Sequence, residues 1–234
     1  MKNRFEIKIS SLFPKRCAFC GKRIPGDRRI CDECKASLPR IEGEICPWCG
    51  RGKLVCACRR AEKYYDGIAA PFYFEGNVRK GIHAYKFSKA RGNSDALAFE
   101  MAKTVKEGFP GVEFDYITQA PMTESDIKAR GYDQCAILAE KISGICNIKY
   151  NPGVIKKLYK TEKQHGLNIY LRRGNLTGVF DVINPENVRG KTILLCDDIS
   201  TSGETLNECA KMLWLNDARA VYCITAALTK SKKK

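Results

Sequence analysis

The sequence has no hydrophobic run long enough to cross a membrane. Its longest apolar stretches, residues 192–196 and 218–228, fall well short of the roughly 18 residues that a membrane helix requires. The first 14 residues alternate charged and apolar side chains, without the apolar core of a secretory signal peptide. These absences predict a cytoplasmic chain that is neither inserted in a membrane nor exported.

Acidic residues are also scarce, since 26 Asp and Glu face 41 Lys and Arg for a formal net charge of +15. The imbalance is strongest in residues 1–60, which hold 15 Lys and Arg against 6 Asp and Glu, together with eight of the thirteen cysteines. With 44% hydrophobic and 29% charged residues the chain can form a core, which excludes a disordered or fibrous protein. The shift in composition near Arg60 predicts two domains, residues 1–60 and residues 61–234.

The cysteines of the first domain have the spacing of metal ligands. Two Cys-x-x-Cys pairs supply the four thiolates of a tetrahedral structural zinc site, so eight cysteines predict a double zinc ribbon with two Zn²⁺ ions. The predicted ligands are Cys17, Cys20, Cys31, Cys34, Cys46, Cys49, Cys56 and Cys58. Which pairs share an ion stays open. A disulfide-stapled module and a thioredoxin-like redox pair are the alternatives, and both fit this basic, signal-free segment less well.

The basic charge of the first domain raises the question of nucleic-acid binding. Eight thiolates on two Zn²⁺ ions would reduce the formal charge of residues 1–60 from +9 to +5, which weakens the attraction for phosphates. Trp48 could stack on a base, although an aromatic residue between two ligands more often packs against the metal site. Contact with nucleic acid therefore stays open.

The second domain alternates apolar strands with amphipathic helices. Strands are predicted at residues 69–74, 115–120, 179–183, 191–196 and 219–228, and helices at residues 77–87, 95–106, 133–142 and 204–215. This alternation predicts an α/β fold in which helices cover a parallel sheet.

The most informative segment covers residues 193–205. Four apolar residues predict a buried strand, Asp197 and Asp198 follow at its carboxyl end, and a loop of hydroxyl residues and glycine then opens a helix. Thr201 and Glu204 have the spacing of a capping box. The unpaired N–H groups of a first helical turn attract a phosphate, and carboxylates accept hydrogen bonds from sugar hydroxyls. Together they predict a site for a phosphorylated ribose.

This segment resembles the phosphoribosyl pyrophosphate signature of type I phosphoribosyltransferases. The resemblance implies a Rossmann-like parallel sheet with a hood, in which the two acids hold the ribose hydroxyls and the loop holds the 5′-phosphate. The residues that it assigns to phosphoribosyl pyrophosphate are Asp197, Asp198, Ile199, Ser200, Thr201, Ser202, Gly203, Glu204 and Thr205.

The resemblance extends over almost the whole chain. The double zinc ribbon, residues 75–87, residues 130–134 and residues 164–180 together resemble the ComF (ComFC/GntX-like) family of bacterial competence-associated phosphoribosyltransferase-like proteins. This family resemblance implies a role in DNA uptake during natural transformation, with Mg²⁺ bound alongside phosphoribosyl pyrophosphate. It also implies single-stranded DNA and other competence proteins as candidate partners.

The family resemblance places a pyrophosphate loop at Gln119, Ala120 and Pro121. The His and Arg that usually follow the proline are replaced here by Thr123 and by Asp126 or Ile127, so positive charge must come from elsewhere. The basic residues expected to contact phosphates are Arg79, Lys86, Lys128 and Arg130.

Two further features are a basic helix face and a long polar segment. Arg79, His83 and Lys86 fall on one face of a predicted helix, at i, i+4 and i+7. For His83 a structural role is favoured over catalysis, because no neighbour in the sequence activates it. Residues 160–177, which include His165, are predicted to form a lid over the site.

The sequence leaves three functions open. The first is a phosphoribosyltransferase, in which an acceptor displaces pyrophosphate from phosphoribosyl pyrophosphate. The second is a non-catalytic DNA-handling protein that reuses the fold. The third is a ligand-sensing regulator, which the lack of a helix-turn-helix pattern disfavours. The sequence assigns no catalytic residue, acceptor or oligomeric state.

Overall fold

The computed structural model of the chain describes residues 15–56, 58, 63–87, 91–158 and 179–230. The α-helices in these residues are α1 (Asp32–Ser37), α2 (Gly76–Phe87), α3 (Asn93–Gly108), α4 (Glu124–Arg130), α5 (Gln134–Cys146) and α6 (Glu204–Leu215). The strands are β1 (Gly67–Ala69), β2 (Phe72–Tyr73), β3 (Tyr116–Gln119), β4 (Ile155–Lys157), β5 (Phe180–Val182), β6 (Thr192–Ser200) and β7 (Ala220–Leu228). Short 3₁₀ turns cover Lys53–Val55 and Pro185–Asn187.

A parallel sheet forms the centre of the α/β part. Its strands lie in the order β1, β7, β6, β3, and β2 continues beside β7 after a break at Pro71. Every described strand pair in this sheet is parallel, which confirms the predicted α/β class. β6 and β7 are the inner strands and most of their residues are buried, as expected where both faces of a sheet are covered.

Successive residues of β6 alternate between two hydrophobic clusters on opposite faces of the sheet. Leu194 and Cys196 pack with α2, α3 and α5. Ile193 and Leu195 pack with α6 and with β4 and β5, which form a separate antiparallel pair. This alternation follows from the two-residue period of a strand. Both faces of the sheet are therefore covered.

The cysteine-rich segment packs directly on the α/β part. Phe19 and three cysteines of the first ribbon belong to the same hydrophobic cluster as α2 and α3. Gly50 of the second ribbon approaches β1 so closely that a Cβ at this position would lie 2.7 Å from the Ile68 carbonyl oxygen. The domain boundary near Arg60 stays a prediction, since residues 59–62 lie outside the described residues.

Three predicted strands differ in the structure. The strand predicted at residues 69–74 is split at Pro71, which has no N–H group to donate to a sheet. Residues 179–183 contribute a strand that pairs antiparallel with β4 and does not join the parallel sheet. The strand predicted at residues 191–196 extends to Ser200, so both acids lie inside β6 and not after it.

Other predictions fall on helices or outside the described residues. Helix α4, directly after the predicted pyrophosphate loop, has no counterpart in the sequence prediction. The predicted lid at residues 160–177, with His165, lies outside the described residues, as does most of the family segment at residues 164–180. Among the described helices, none has the length and apolar character of a membrane span.

Candidate functional site

The turn between β6 and α6 leaves the start of α6 without a side-chain cap. Gly203 is the N-cap residue and has a φ of 82°, a conformation that favours glycine. No described side chain caps this helix, so the capping box predicted from Thr201 and Glu204 is wrong. The helix begins at Glu204, which a capping box would place at its third position. The first N–H groups of this 12-residue helix, together with its dipole, can therefore attract an anion.

Two side chains from the segment before β1 lie beside this turn. A Cβ at Gly203 would lie 3.8 Å from Tyr65 Oη and 3.9 Å from Lys63 Nζ. The Tyr65 hydroxyl donates a hydrogen bond to the Trp48 carbonyl at 3.0 Å, which ties this segment to the second ribbon. Lys63 thus adds positive charge next to the turn.

Asp197 and Asp198 lie next to each other in β6 and have different partners. Asp198 is buried, and its carboxylate pairs with Lys86 Nζ at 2.8 Å and accepts a hydrogen bond from Gln134 Nε2 at 3.0 Å. Asp197 Oδ1 accepts hydrogen bonds from the Asp198 amide at 2.7 Å and from the Cys135 thiol at 3.3 Å. Among the described residues both contacts reach this one oxygen, which leaves Asp197 Oδ2 for a ligand.

The charges of this cluster depend on one another. Burial, followed by repulsion from Asp198, raises the pKa of Asp197 to about 7. Burial opposes the charge of Lys86, but the attraction of Asp198 and Asp197 outweighs it and raises the pKa of the ammonium group. Lys86 therefore stays protonated at neutral pH, whereas Asp197 changes its charge near neutrality.

Residues 130–134, which carry part of the family resemblance, connect α4 to α5. Gly131 ends α4 with a φ of 81°, and Asp133 caps α5 by accepting a hydrogen bond from a first-turn N–H at 2.9 Å. Gln134 is then the first residue of α5, where its amide reaches Asp198. The motif therefore positions one of the two partners of the buried acid.

The predicted pyrophosphate loop, Gln119, Ala120 and Pro121, begins at the end of β3. The Ala120 amide donates to the Cys196 carbonyl at 2.8 Å, which places the loop beside the acids of β6. Thr123 caps α4 and donates a hydrogen bond to the Asp126 carboxylate at 2.8 Å. The positions of the family's usual His and Arg thus form a helix cap and carry no positive charge.

The four predicted basic contacts have different partners in the structure. Of these four, Lys86 alone pairs with an acid of the site among the described residues. Arg79 and Arg130 each lie over a phenylalanine ring, and Lys128 is exposed on α4. His83 is exposed and its ring packs 5.0 Å from a phenylalanine ring, which favours the structural interpretation.

Several side chains at the site were not assigned from the sequence. Gln134 lay within a family motif, but nothing in the motif indicated a hydrogen bond to an acid. Cys135 follows it and reaches the second acid. Lys63 and Tyr65 precede β1, where the sequence shows no pattern that points to the phosphate turn.

The eight predicted zinc ligands form two consecutive sets of four. Cys17, Cys20, Cys31 and Cys34 make one set and Cys46, Cys49, Cys56 and Cys58 the other, with the sulfurs of each set within 4.8 Å of one another. Neighbouring sulfurs lie 3.6 Å apart in the first set and 3.1–3.6 Å apart in the second, against the ~3.8 Å edge of a tetrahedron with zinc–sulfur bonds of about 2.3 Å. No disulfide joins these cysteines, so their chemistry and geometry fit two structural Zn²⁺ ions.

Some basic residues of the cysteine-rich segment form ion pairs at its surface. Arg28 pairs with Asp32, and Lys53 pairs with Glu44. Trp48, however, is 56% exposed, so more than half of its side-chain surface is accessible.

Comparison with known proteins gives matches over both parts of the chain. A family model described as a double zinc ribbon domain matches residues 9–64. Competence protein F of Haemophilus influenzae is 33% identical over 215 residues, which cover 88% of this chain and 93% of that protein. DNA utilization protein YhgH of Escherichia coli is 26% identical over 228 residues, covering 92% and 98%. Competence protein ComFC of Bacillus subtilis is 26% identical over 200 residues, covering 80% and 78%.

A solved purine phosphoribosyltransferase from Pyrococcus horikoshii matches with a TM-score of 0.34 at 16% identity, over 56% of this chain and 70% of that one. The parallel sheet with helices on both faces and the two cysteine sets define the class, an α/β domain preceded by a double zinc ribbon. The relation to competence protein F spans most of both chains and is more specific. The chain belongs to the ComF family.

Proposed function

We propose that the chain binds phosphoribosyl pyrophosphate together with Mg²⁺ at the carboxyl edge of the parallel sheet. The observation that carries this proposal is the uncapped start of α6, which follows the strand that holds Asp197 and Asp198. Exposed N–H groups at the positive end of a helix bind a phosphate, and a carboxylate accepts hydrogen bonds from sugar hydroxyls. A phosphorylated ribose carries both groups.

The pyrophosphate group would lie beside the loop at residues 119–121. Lys86 contributes positive charge at the acids, while Lys128 and Arg130 lie on the helix that follows the loop. Mg²⁺ is commonly bound by one or two carboxylates and by substrate phosphates, so Asp197 Oδ2 is a suitable protein ligand. When bound, Mg²⁺ would neutralise charge on the pyrophosphate.

We further infer that the chain acts in DNA handling during competence. The names of its relatives support this role, since they include competence protein F, competence protein ComFC and DNA utilization protein YhgH. Other competence proteins are therefore candidate partners. Transfer of the phosphoribosyl group to an acceptor is a separate step, for which no catalytic residue is assigned.

Calorimetric titration of the zinc-loaded chain with phosphoribosyl pyrophosphate and Mg²⁺ tests the binding proposal. Asp197→Asn should weaken binding at least tenfold, since hydrogen bonds to a charged group contribute about 1.5–3 kcal/mol each. Asp181→Asn is the matched control, because Asp181 lies on β5 and pairs with Lys156 at the surface. Zinc content should be the same in both variants. Equal binding by Asp197→Asn and the unmodified chain would overturn the ribose assignment.

An assay of released pyrophosphate in the same samples separates binding from transfer. Release that depends on an added base or on single-stranded DNA would make the chain a transferase and identify the class of its acceptor. Binding without release would favour a non-catalytic role.

Binding of single-stranded DNA is a second candidate function, favoured by the exposed ring of Trp48. Stacking of one base on an aromatic side chain contributes about 1–3 kcal/mol. In a Trp214→Phe background, an added oligothymidylate should quench the fluorescence of Trp48. Point substitution is preferable to deletion of residues 1–60, since the first ribbon shares a hydrophobic cluster with the α/β part. Unchanged fluorescence, with unchanged DNA affinity in Trp48→Ala, would exclude this contact.

A further inference from the structure

Arg51 belongs to the turn that holds the second zinc site. Its carbonyl accepts a hydrogen bond from the Cys46 amide at 2.8 Å, and the Gly50 amide donates to the Cys46 carbonyl at 2.8 Å. Gly50, between Arg51 and Cys49, has a φ of 68°. The backbone of Arg51 is therefore fixed by the fold of the ribbon.

The side chain of Arg51 leaves the ribbon and reaches two segments at the carboxyl edge of the sheet. Nη2 donates to the Thr201 carbonyl at 2.9 Å, and Nε donates to the Thr229 carbonyl at 2.6 Å. Nη1 donates to the Cys49 carbonyl at 3.4 Å. The residue is only 8% exposed, so all three contacts are made by a buried guanidinium group.

The guanidinium group has no carboxylate partner among the described residues, and besides three carbonyl groups it reaches the side chain of Cys49, a ligand of the second zinc set. Burying a charge is costly unless it is paired, and the thiolates of the second zinc site supply negative charge on one side of Arg51. Thr201 lies in the turn between the end of β6 and the start of α6, where the phosphate is proposed to bind. Arg51 therefore connects the second zinc site to this turn.

We propose that Arg51 is a positioning residue, through which the second zinc ribbon fixes the phosphate turn for a phosphate-bearing ligand. The carbonyl and N–H groups of a trans peptide point in opposite directions. Because the Thr201 carbonyl points to Arg51, the Ser202 N–H points away from the ribbon and can meet an anion. Thr229 reinforces this arrangement, since its hydroxyl donates to the same Thr201 oxygen at 3.1 Å and its amide donates to the Ser200 carbonyl at 3.1 Å. The inference rests on the proposed function.

Two substitutions at Arg51 and one control test the inference in the full zinc-loaded chain. Arg51→Gln removes the charge, and Arg51→Lys keeps the charge but loses the forked geometry. Lys53→Gln removes the same charge from the same ribbon, where Lys53 pairs at the surface with Glu44. The measurements are zinc content, hydrogen exchange of the amides at residues 200–205, and calorimetry with phosphoribosyl pyrophosphate and Mg²⁺.

Arg51→Gln should retain two zinc ions, speed exchange at residues 200–205 and weaken ligand binding about tenfold. Arg51→Lys should recover part of the affinity. Lys53→Gln should change neither the hydrogen exchange at residues 200–205 nor the ligand affinity. Unchanged exchange at residues 200–205 in Arg51→Gln would overturn the inference. So would loss of one zinc ion in both Arg51 variants, because Arg51 would then hold the ribbon and not the turn.

The exchange measurement separates this inference from the proposed function. If the unmodified chain does not bind phosphoribosyl pyrophosphate, the proposed ligand is wrong. Faster exchange at residues 200–205 in Arg51→Gln would still show that Arg51 holds the turn, and inorganic phosphate and ribose 5-phosphate then serve as the probes of its anion preference. Equal exchange in the variant and the unmodified chain overturns the positioning role whatever the ligand.

Discussion

The two zinc ribbons have the same four-cysteine chemistry but join the α/β part in different ways. In the first ribbon Cys17, Cys31 and Cys34 belong to a hydrophobic cluster that includes α2 and α3. In the second ribbon the described cysteines belong to neither hydrophobic cluster, and a buried guanidinium group reaches the carbonyls of Thr201 and Thr229. The first contact is apolar and the second is largely polar.

This difference indicates that each ribbon supports a different side of the candidate site. The first packs on α2, which brings Lys86 to Asp198. The second holds the turn before α6 through Arg51. Removing the first should therefore damage the core, whereas removing the second should mainly damage the phosphate turn.

The largest expected difference between the two ribbons is in the effect of losing a zinc ion on the free energy of unfolding. Cys34 is 1% exposed within the hydrophobic cluster, so Cys34→Ser should lose one Zn²⁺ per chain and lower the free energy of unfolding by at least about 3 kcal/mol. Cys49→Ser should also lose one Zn²⁺ but lower this free energy less, with a larger relative loss of ligand affinity. Elemental analysis, urea unfolding and calorimetry measure these effects. Equal unfolding in the two variants would contradict the comparison.

A smaller change tests the packing of the first ribbon with the metal in place. A Cβ at Gly81 of α2 would lie 2.5 Å from the Ala18 carbonyl oxygen, so Gly81→Ala should lower the free energy of unfolding by about 1–3 kcal/mol. Gly144→Ala on α5 is the matched control, because a Cβ there meets no atom within 4 Å and alanine favours a helix. Urea unfolding measures both. Equal stability of Gly81→Ala and the unmodified chain would show that the first ribbon can shift away from α2 at no cost in stability.

Features that involve residues close together in the sequence could be predicted from their spacing. The cysteine pairs gave the ligands of two zinc ribbons, and the apolar period with Gly203 gave the bounds of α6 as the structure has them. The capping-box prediction was wrong although its spacing was present. Gly203 adopts a left-handed conformation and is the N-cap, so the helix begins at Glu204 and not after Thr201. A spacing rule does not include the backbone conformation that selects between two starts.

Contacts between residues far apart in the chain could not be predicted from the sequence. Arg51 and Thr201 lie 150 positions apart, and Gln134 and Asp198 lie 64 apart. Neither pair belongs to one helix face or one strand, so no period connects them. The composition change near Arg60 likewise gave no sign that the first ribbon shares a core with the α/β part.

The two acids of β6, Asp197 and Asp198, should make the stability of the chain depend on pH. The pKa of Asp197 is raised from 3.8 to about 7 in the folded chain, mainly by burial. Between pH 4 and 7 the folded chain therefore keeps a proton that the unfolded chain has lost, so this group's contribution to stability falls as pH rises through that window. We expect a decline of about 2 kcal/mol between pH 5.5 and 8, measured by urea unfolding. Asp197→Asn should flatten this slope, and an equal slope in that variant would assign it to other groups.

The smallest expected effect concerns the polar contact of the second ribbon, at the Thr201 carbonyl. Thr229→Val removes the hydroxyl that donates to the Thr201 oxygen, and the loss of one neutral hydrogen bond should weaken ligand binding about threefold. Thr229→Ser keeps the hydroxyl and is the matched control. Arg51 donates to the same oxygen, so the effects of Thr229→Val and Arg51→Gln should not add in the double variant. Calorimetry of the four chains gives this coupling, and strict additivity would mean that the two residues act on the turn independently and that the Thr201 carbonyl is not the shared point of support.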